Sequence, residues 1–151
     1  MISAIRVGAQ PSSSFVAREL AVSPQWVVGS PRYFAMRGTP SSTVELALHH
    51  LVWRGPPRRE LESLKLVTRM TTDEIETAYV AVLAGVGLSV LPRWLVSLDV
   101  EQGRLTRILP DFDAGGVPIV ATYPSAKRLR KPARQVLDRL SAALREAIGA
   151  E

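Results

Sequence analysis

The chain of 151 residues contains no cysteine. This excludes a disulfide framework, a thiolate nucleophile and a thiolate metal site, and it agrees with a reducing compartment. Long apolar runs are missing too. No stretch approaches the ~18 uninterrupted apolar residues of a membrane span, and the N-terminus lacks the charged, apolar and cleavage regions in series that mark a secretory signal. A soluble, cytoplasmic protein with no membrane partner is expected. Histidine is scarce: His49 and His50 are the only two, and they are adjacent. Neighbouring helical positions point ~100° apart, so the pair cannot share a metal ion as an i, i+4 pair does. Gly-x-Ser-x-Gly elbows, Walker loops and zinc motifs are also absent. The sequence thus points away from an enzyme and offers neither a metal site nor a cofactor site.

Acidic residues are missing from one window, between Asp113 and Asp138, where Lys127, Arg128, Arg130, Lys131 and Arg134 crowd together. The whole chain has 19 Lys and Arg against 14 Asp and Glu, a net charge of +5. Such a patch either recruits nucleic acid by counterion release or is a solvated, solubilising start to a helix.

What the chain does have is 46% apolar content, enough at this length to bury a sizeable core in one domain or two small lobes. Ile2–Val7 reads as a buried first strand and Gln25–Val28 as a second, with a loop at Gln10–Ser14 between them. Arg32–Arg37 suits a short helix closed by Gly38, and Ser41 or Ser42 can cap a further helix running to the histidine pair, where a cation is favoured. Leu51–Trp53 and Leu64–Met70 are strand candidates on either side of a Gly55-Pro56-Pro57 break. Thr71 and Glu74 have the spacing of a capping box, which starts a helix with Ala78, Tyr79, Val82 and Leu83 on one face. Val80, Ala81 and Ala84 make its other face apolar, so a second cover is expected, with another subunit as one option. Gly85-Val86-Gly87 closes that helix and precedes the apolar strand Leu88–Leu91; it is a C-cap turn, because a dinucleotide loop follows a strand and opens a helix.

The last helix is the clearest element. Pro132 suits its first turn, and Ala133, Val136, Leu137, Leu140, Leu144, Ala147 and Ile148 fall within one ~120° arc. Strands that are apolar on both faces, Leu88–Leu91 and Val117–Tyr123, alternate with helices, which predicts a largely parallel α/β sheet covered on both sides.

Two places can carry a ligand. At Thr71-Thr72 the free N–H groups of a helix start, two hydroxyls and a positive dipole end suit a carboxylate, although the same groups can simply cap the helix. Trp53 and Arg54, leaving a strand before Gly55, offer an aromatic face and a guanidinium to an aromatic acid, or else stack on each other at the surface. Asp111-Phe112-Asp113 places two acids in a turn without further oxygen ligands nearby, the pattern of an ordinary loop.

The phrases Ala4-Ile5-Arg6-Val7-Gly8, Phe15-Val16-Ala17-Arg18-Glu19-Leu20, Val28-Gly29-Ser30-Pro31-Arg32-Tyr33-Phe34 and Val82-Leu83-Ala84-Gly85-Val86-Gly87-Leu88-Ser89-Val90-Leu91-Pro92 follow one another in a telling order. Gly103-Arg104-Leu105, Ile108-Leu109-Pro110 and the basic, proline-containing start of the last helix continue it. Together they resemble the effector-binding domain of LysR-type transcriptional regulators over nearly the whole chain. The resemblance implies an α/β, two-lobed, periplasmic-binding-protein-like (type 2) effector domain with lobe II complete and lobe I partial. Residues 1–23 would belong to lobe I, 24–112 to lobe II, and 113–151 to the return strand and C-terminal helix of lobe I. A small organic acid, often aromatic, would bind between the lobes, lined by Arg6, Trp53, Arg54, Thr71 and Thr72.

The implied protein is a homo-oligomer that acts on DNA only through a DNA-binding domain absent from this chain. The resemblance also implies a truncated chain, several residues shorter than usual around Pro56–Glu60, poorly soluble as an isolated monomer. The alternatives are a small basic module that binds nucleic acid through Lys127–Arg134, or a non-functional regulator remnant.

Overall fold

Along Phe15–Gly29 the chain forms one strand of 15 residues, although Pro24 lies inside it. In the computed structural model, which describes residues 4–8, 14–55, 66–124 and 129–149, the elements follow in the order β1 (Ala4–Val7), β2 (Phe15–Gly29), α1 (Pro31–Arg37), a 3-10 turn (Glu45–Leu48), β3 (His50–Arg54), β4 (Val67–Thr72), α2 (Ile75–Leu83), β5 (Ser89–Pro92), α3 (Arg93–Glu101), β6 (Thr106–Ile108), β7 (Gly116–Pro124) and α4 (Lys131–Gly149). A proline cannot donate to a sheet ladder and is tolerated where pairing changes. Here β2 pairs antiparallel with β7 up to Pro24, opposite Gly116, and with β5 from Gln25, opposite Pro92. The expectation of a strand over Gln25–Val28 alone is therefore too short. Arg18 and Glu19 break the apolar pattern, but their backbones pair with Ala121 and Val120.

The chain divides into two compact units, Met1–Pro24 with Gly115–Glu151, and Gln25–Ala114. In the first, β1 and the first part of β2 flank β7, all antiparallel. The register shifts between Glu19 and Ala21, a bulge that takes Leu20 out of the ladder. Its carbonyl instead accepts the Ser141 hydroxyl at 2.5 Å and Arg145 Nε at 3.1 Å, both from α4. Arg18 and Asp138 form an ion pair between the same two elements. Leu137, Ser141 and Ile148 are the buried residues of α4, with Leu140 and Leu144 packed against Leu20, Ala21 and Ile119. The apolar arc is thus rotated from the expected one: Val136 is 57% exposed, and Ser141, polar by type, sits in the seam because its hydroxyl has a carbonyl to bind.

In the second unit β3 and β4 run parallel, and a parallel bridge from Leu51 to Leu88 links β3 to the start of β5. The end of β2 pairs antiparallel with both β5 and β6. The expected largely parallel sheet is thus corrected: among the described residues the parallel pairs are β3 with β4 and this bridge. Apolarity on both faces of a strand reports cover on both faces, not direction. That cover exists. Val28 belongs to a core with Val52, Ala78, Val82, Leu91, Val96 and Leu105, and its neighbour Val27, pointing the other way, to one with Tyr33, Phe34, Leu46, Leu88 and Ile108.

Helix α2 ends as the glycine predicts. Gly85 has φ +80°, its N–H bonds the Val82 carbonyl, and the Val86 N–H reaches the Ala81 carbonyl, the pair of bonds of a Schellman motif. One face of α2 is buried through Ala78, Ala81 and Val82, while Val80 stays 60% exposed. The α-helix expected after Ser41 or Ser42 is only the 3-10 turn. Ser41 is occupied with the Glu45 carboxylate through N–H (2.8 Å) and hydroxyl (3.0 Å), and Ser42 Oγ takes the Glu45 N–H at 3.4 Å. Such local bonds compete with helix propagation.

Candidate functional site

Trp53 stands opposite Thr71, and Arg54 opposite Thr72, at the last two positions of the parallel pair β3 and β4. Four of the five residues expected at a ligand site therefore meet at one strand end of the second unit. The fifth, Arg6, is exposed on β1 of the other unit, opposite Val120.

The position of β3 is set at its head by a close backbone approach. A Cβ on Gly87 would fall 2.4 Å from the His50 carbonyl oxygen, so only glycine lets Leu88 N–H bond that oxygen at 2.8 Å and Val52 N–H bond the Leu88 carbonyl at 2.7 Å. Beyond Arg54 the chain turns at Gly55, φ +79°, whose N–H bonds the Thr72 carbonyl at 3.3 Å.

The two threonines are strand residues, which corrects the capping box expected at Thr71. The N-cap of α2 is Glu74, whose N–H is accepted by Thr72 Oγ1 at 3.1 Å, two residues away instead of three. The Glu74 carboxylate accepts the Thr77 hydroxyl at 3.3 Å. β-Branched residues favour the extended conformation, and the ladder to Trp53 and Arg54 holds both threonines in it. Thr72 is thus committed to the turn, while Thr71 is exposed.

Among the described residues Trp53 carries the buried side-chain donor that has no partner: its Nε1. A buried N–H without an acceptor costs about 1–3 kcal/mol, and indole N–H groups find partners when buried. An unmet indole donor on the strand end that also carries Arg54, Thr71 and Thr72 is a group that an anionic or carbonyl acceptor would satisfy.

The histidines form a second cluster, which sequence reading places at a helix end but does not connect to Tyr33. His49 is 6% exposed and caps the 3-10 turn; its Nδ1 lies 3.1 Å from Tyr33 Oη, which also accepts the His50 N–H at 2.9 Å. A third cluster was not legible. Asp99, 2% exposed on α3, accepts Tyr79 Oη at 2.8 Å and Arg104 Nε at 2.5 Å.

The Asp111–Asp113 turn holds Phe112 N–H to the Leu109 carbonyl at 2.9 Å, and no group of three or more metal-ligating side chains occurs among the described residues. Arg130, Lys131 and Arg134 are exposed at the start of α4; Lys127, Arg128 and the Pro56–Glu60 segment lie outside the described residues. No helix among them is long and apolar enough to cross a membrane.

The profile of the LysR substrate binding domain matches residues 3–145. The chain belongs to this family. Among its relatives, the HTH-type transcriptional regulator PtxR of Pseudomonas aeruginosa is 31% identical over 160 aligned residues, which cover 98% of this chain and 49% of PtxR. CrgA of Neisseria meningitidis serogroup B is 31% identical over 145 residues, covering 89% of this chain and 48% of CrgA. The chain spans about half the length of the curated relatives it matches.

The solved regulatory domain of CrgA superposes with a TM-score of 0.74 at 30% identity, covering 93% of this chain and 74% of that one. The effector domain of AmpR from P. aeruginosa gives 0.71 at 19% identity, over 96% and 72%, and speaks for the fold alone. The α/β architecture is that of LysR regulatory domains, and this LysR domain corresponds to the effector-sensing portion of such regulators.

Proposed function

We propose that this LysR domain senses a small organic acid, aromatic when the Trp53 ring is used, through Trp53, Arg54, Thr71 and Thr72. It does so in the cytoplasm, as part of a homo-oligomer that reaches DNA through a separate DNA-binding domain, and without catalysing a reaction. The observation that carries the reading is the buried, unpartnered Trp53 Nε1 on the strand end that also carries Arg54. A carboxylate oxygen would accept that N–H while the guanidinium takes the charge, and Thr71 and the positive end of α2 would add to the same attraction.

Binding of this kind shifts the populations of domain arrangements only by as much as the ligand prefers one of them. It also stabilises the bound form by about 2.7 kcal/mol at a ligand concentration 100 times Kd. The test is urea unfolding with benzoate, succinate or neutral benzamide present. The reading expects a carboxylate to raise the midpoint in a concentration-dependent way, benzamide to have no effect, and Arg54→Gln to remove the response. It is wrong if neither carboxylate moves the midpoint, or if Arg54→Gln and Trp53→Phe respond as the parent does.

A further inference from the structure

Tyr33 ties three elements of the second unit together. Its ring, 2% exposed on α1, meets Phe34 edge-on at 5.8 Å and lies tilted against His49 at 5.7 Å. Its oxygen accepts the N–H of His50, the first residue of β3, and faces Nδ1 of His49 at the end of the 3-10 turn. A phenol has one proton to give. With the His50 N–H pointing at the oxygen, Nδ1 of a neutral His49 protonated on Nε2 is the acceptor within reach of that proton.

We propose that Tyr33, His49 and the His50 backbone form an acid-released latch, in which proton uptake by His49 frees α1 and the 3-10 turn from the head of β3. A protonated His49 has a hydrogen on both ring nitrogens. Tyr33 Oη would then face two donors, and its own hydrogen would be left in a buried site without the acceptor it now uses.

The surroundings oppose the charged form. Burial and the Arg37 cation of α1 hold the His49 pKa below its usual value, and His50 of β3 acts in the same sense; Glu45 of the 3-10 turn pulls the other way. Glu45 is itself engaged with Ser41. Burial, Arg37 and, from β4, Arg69 lower the His50 pKa as well. Leu88, Val90 and Phe112 line a small pocket of ≈ 10 Å³ beside His49 and His50 with apolar side chains.

The sign follows from the direction of the shift. A folded-state pKa below the unfolded value of about 6.5 leaves the latch intact above that pH and releases it as the pH falls through the folded value. The strand so held is the one that ends at Trp53 and Arg54, but the latch stands or falls on the geometry of the second unit, whatever binds at that end.

The test is amide hydrogen exchange by NMR on the full chain at pH 7.5 and pH 5.0, expressed as protection factors so that intrinsic pH effects cancel. Protection of the His50 amide should fall about fivefold or more on acidification, the loss of one hydrogen bond, relative to Val82 inside α2. His49→Gln should keep its protection at pH 5.0. Tyr33→Phe should lack it at both pH values, and if that variant fails to fold, His49→Gln alone decides. Equal His50 protection at the two pH values in the parent overturns the latch, as does an undiminished acid loss in His49→Gln.

Discussion

Removing the Asp99 carboxylate should unravel the junction between α2, α3 and the turn before β6. The group is 2% exposed and accepts two hydrogen bonds, from Tyr79 Oη at 2.8 Å and Arg104 Nε at 2.5 Å. Its hold on the phenol is visible in the Tyr79 pKa, raised first by the hydrogen bond to Asp99 and then by burial. A hydrogen bond to a charged group contributes about 1.5–3 kcal/mol, which applies in full to the partly buried Tyr79. The Arg104 side chain is 56% exposed, so its ion pair is screened and counts for about 0.2–1 kcal/mol. Asp99→Ala should therefore cost about 2–4 kcal/mol. Asp99→Asn, which keeps an acceptor of the same size, should cost roughly half as much. The assay is urea unfolding followed by far-UV circular dichroism, with the loss taken from the shift of midpoint at constant slope. Adding Tyr79→Phe closes a cycle, and the double variant should lose about 1.5–3 kcal/mol less than the sum of the singles. A cost below ~0.5 kcal/mol for Asp99→Ala, or strict additivity in the cycle, would refute this reasoning.

Gly87→Ala places a methyl group 2.4 Å from the His50 oxygen; it should cost about 2–4 kcal/mol through two strand hydrogen bonds and the forced backbone shift, against less than ~1 kcal/mol for Gly149→Ala, which meets nothing. Ser141→Ala strips one of the two donors from the Leu20 carbonyl and should cost about 1 kcal/mol, with no further loss when Leu20 keeps Arg145; both variants are read by the same unfolding assay.

Legibility tracked how local the determining interactions were. Leu137, Leu144 and Ile148 repeat at helical spacing inside one segment, so α4 could be read directly, but the arc was rotated: Val136 is exposed, and the seam residue Ser141 was hidden because its partner is the Leu20 carbonyl at a bulge 121 residues away. Gly85 declared its turn for the same local reason. The Thr71–Glu74 spacing was also local, but misleading: the ladder from Trp53 and Arg54 decides that both threonines extend β4, and strand partners in a parallel pair are not written in either strand. The four candidate residues could be singled out by chemistry, yet their adjacency could not, since it depends on register. Tyr33, 16 residues before His49 on a different element, and Asp99, 20 residues from Tyr79, were invisible as pairs for that reason. Pro24 hid the length of β2, because a proline normally argues against an interior strand position.

The central claim is that an acid is received where β3 and β4 end. The most direct measurement is the indole Nε1–H resonance of Trp53, assigned with Trp53→Phe, during titration of the labelled chain with benzoate. A saturable downfield shift of that resonance, absent in Arg54→Gln and with the Trp26 and Trp94 indoles unmoved, is the predicted result. A Trp53 indole that stays fixed while resonances elsewhere move, or a set of three indoles indifferent to benzoate and succinate alike, would contradict it.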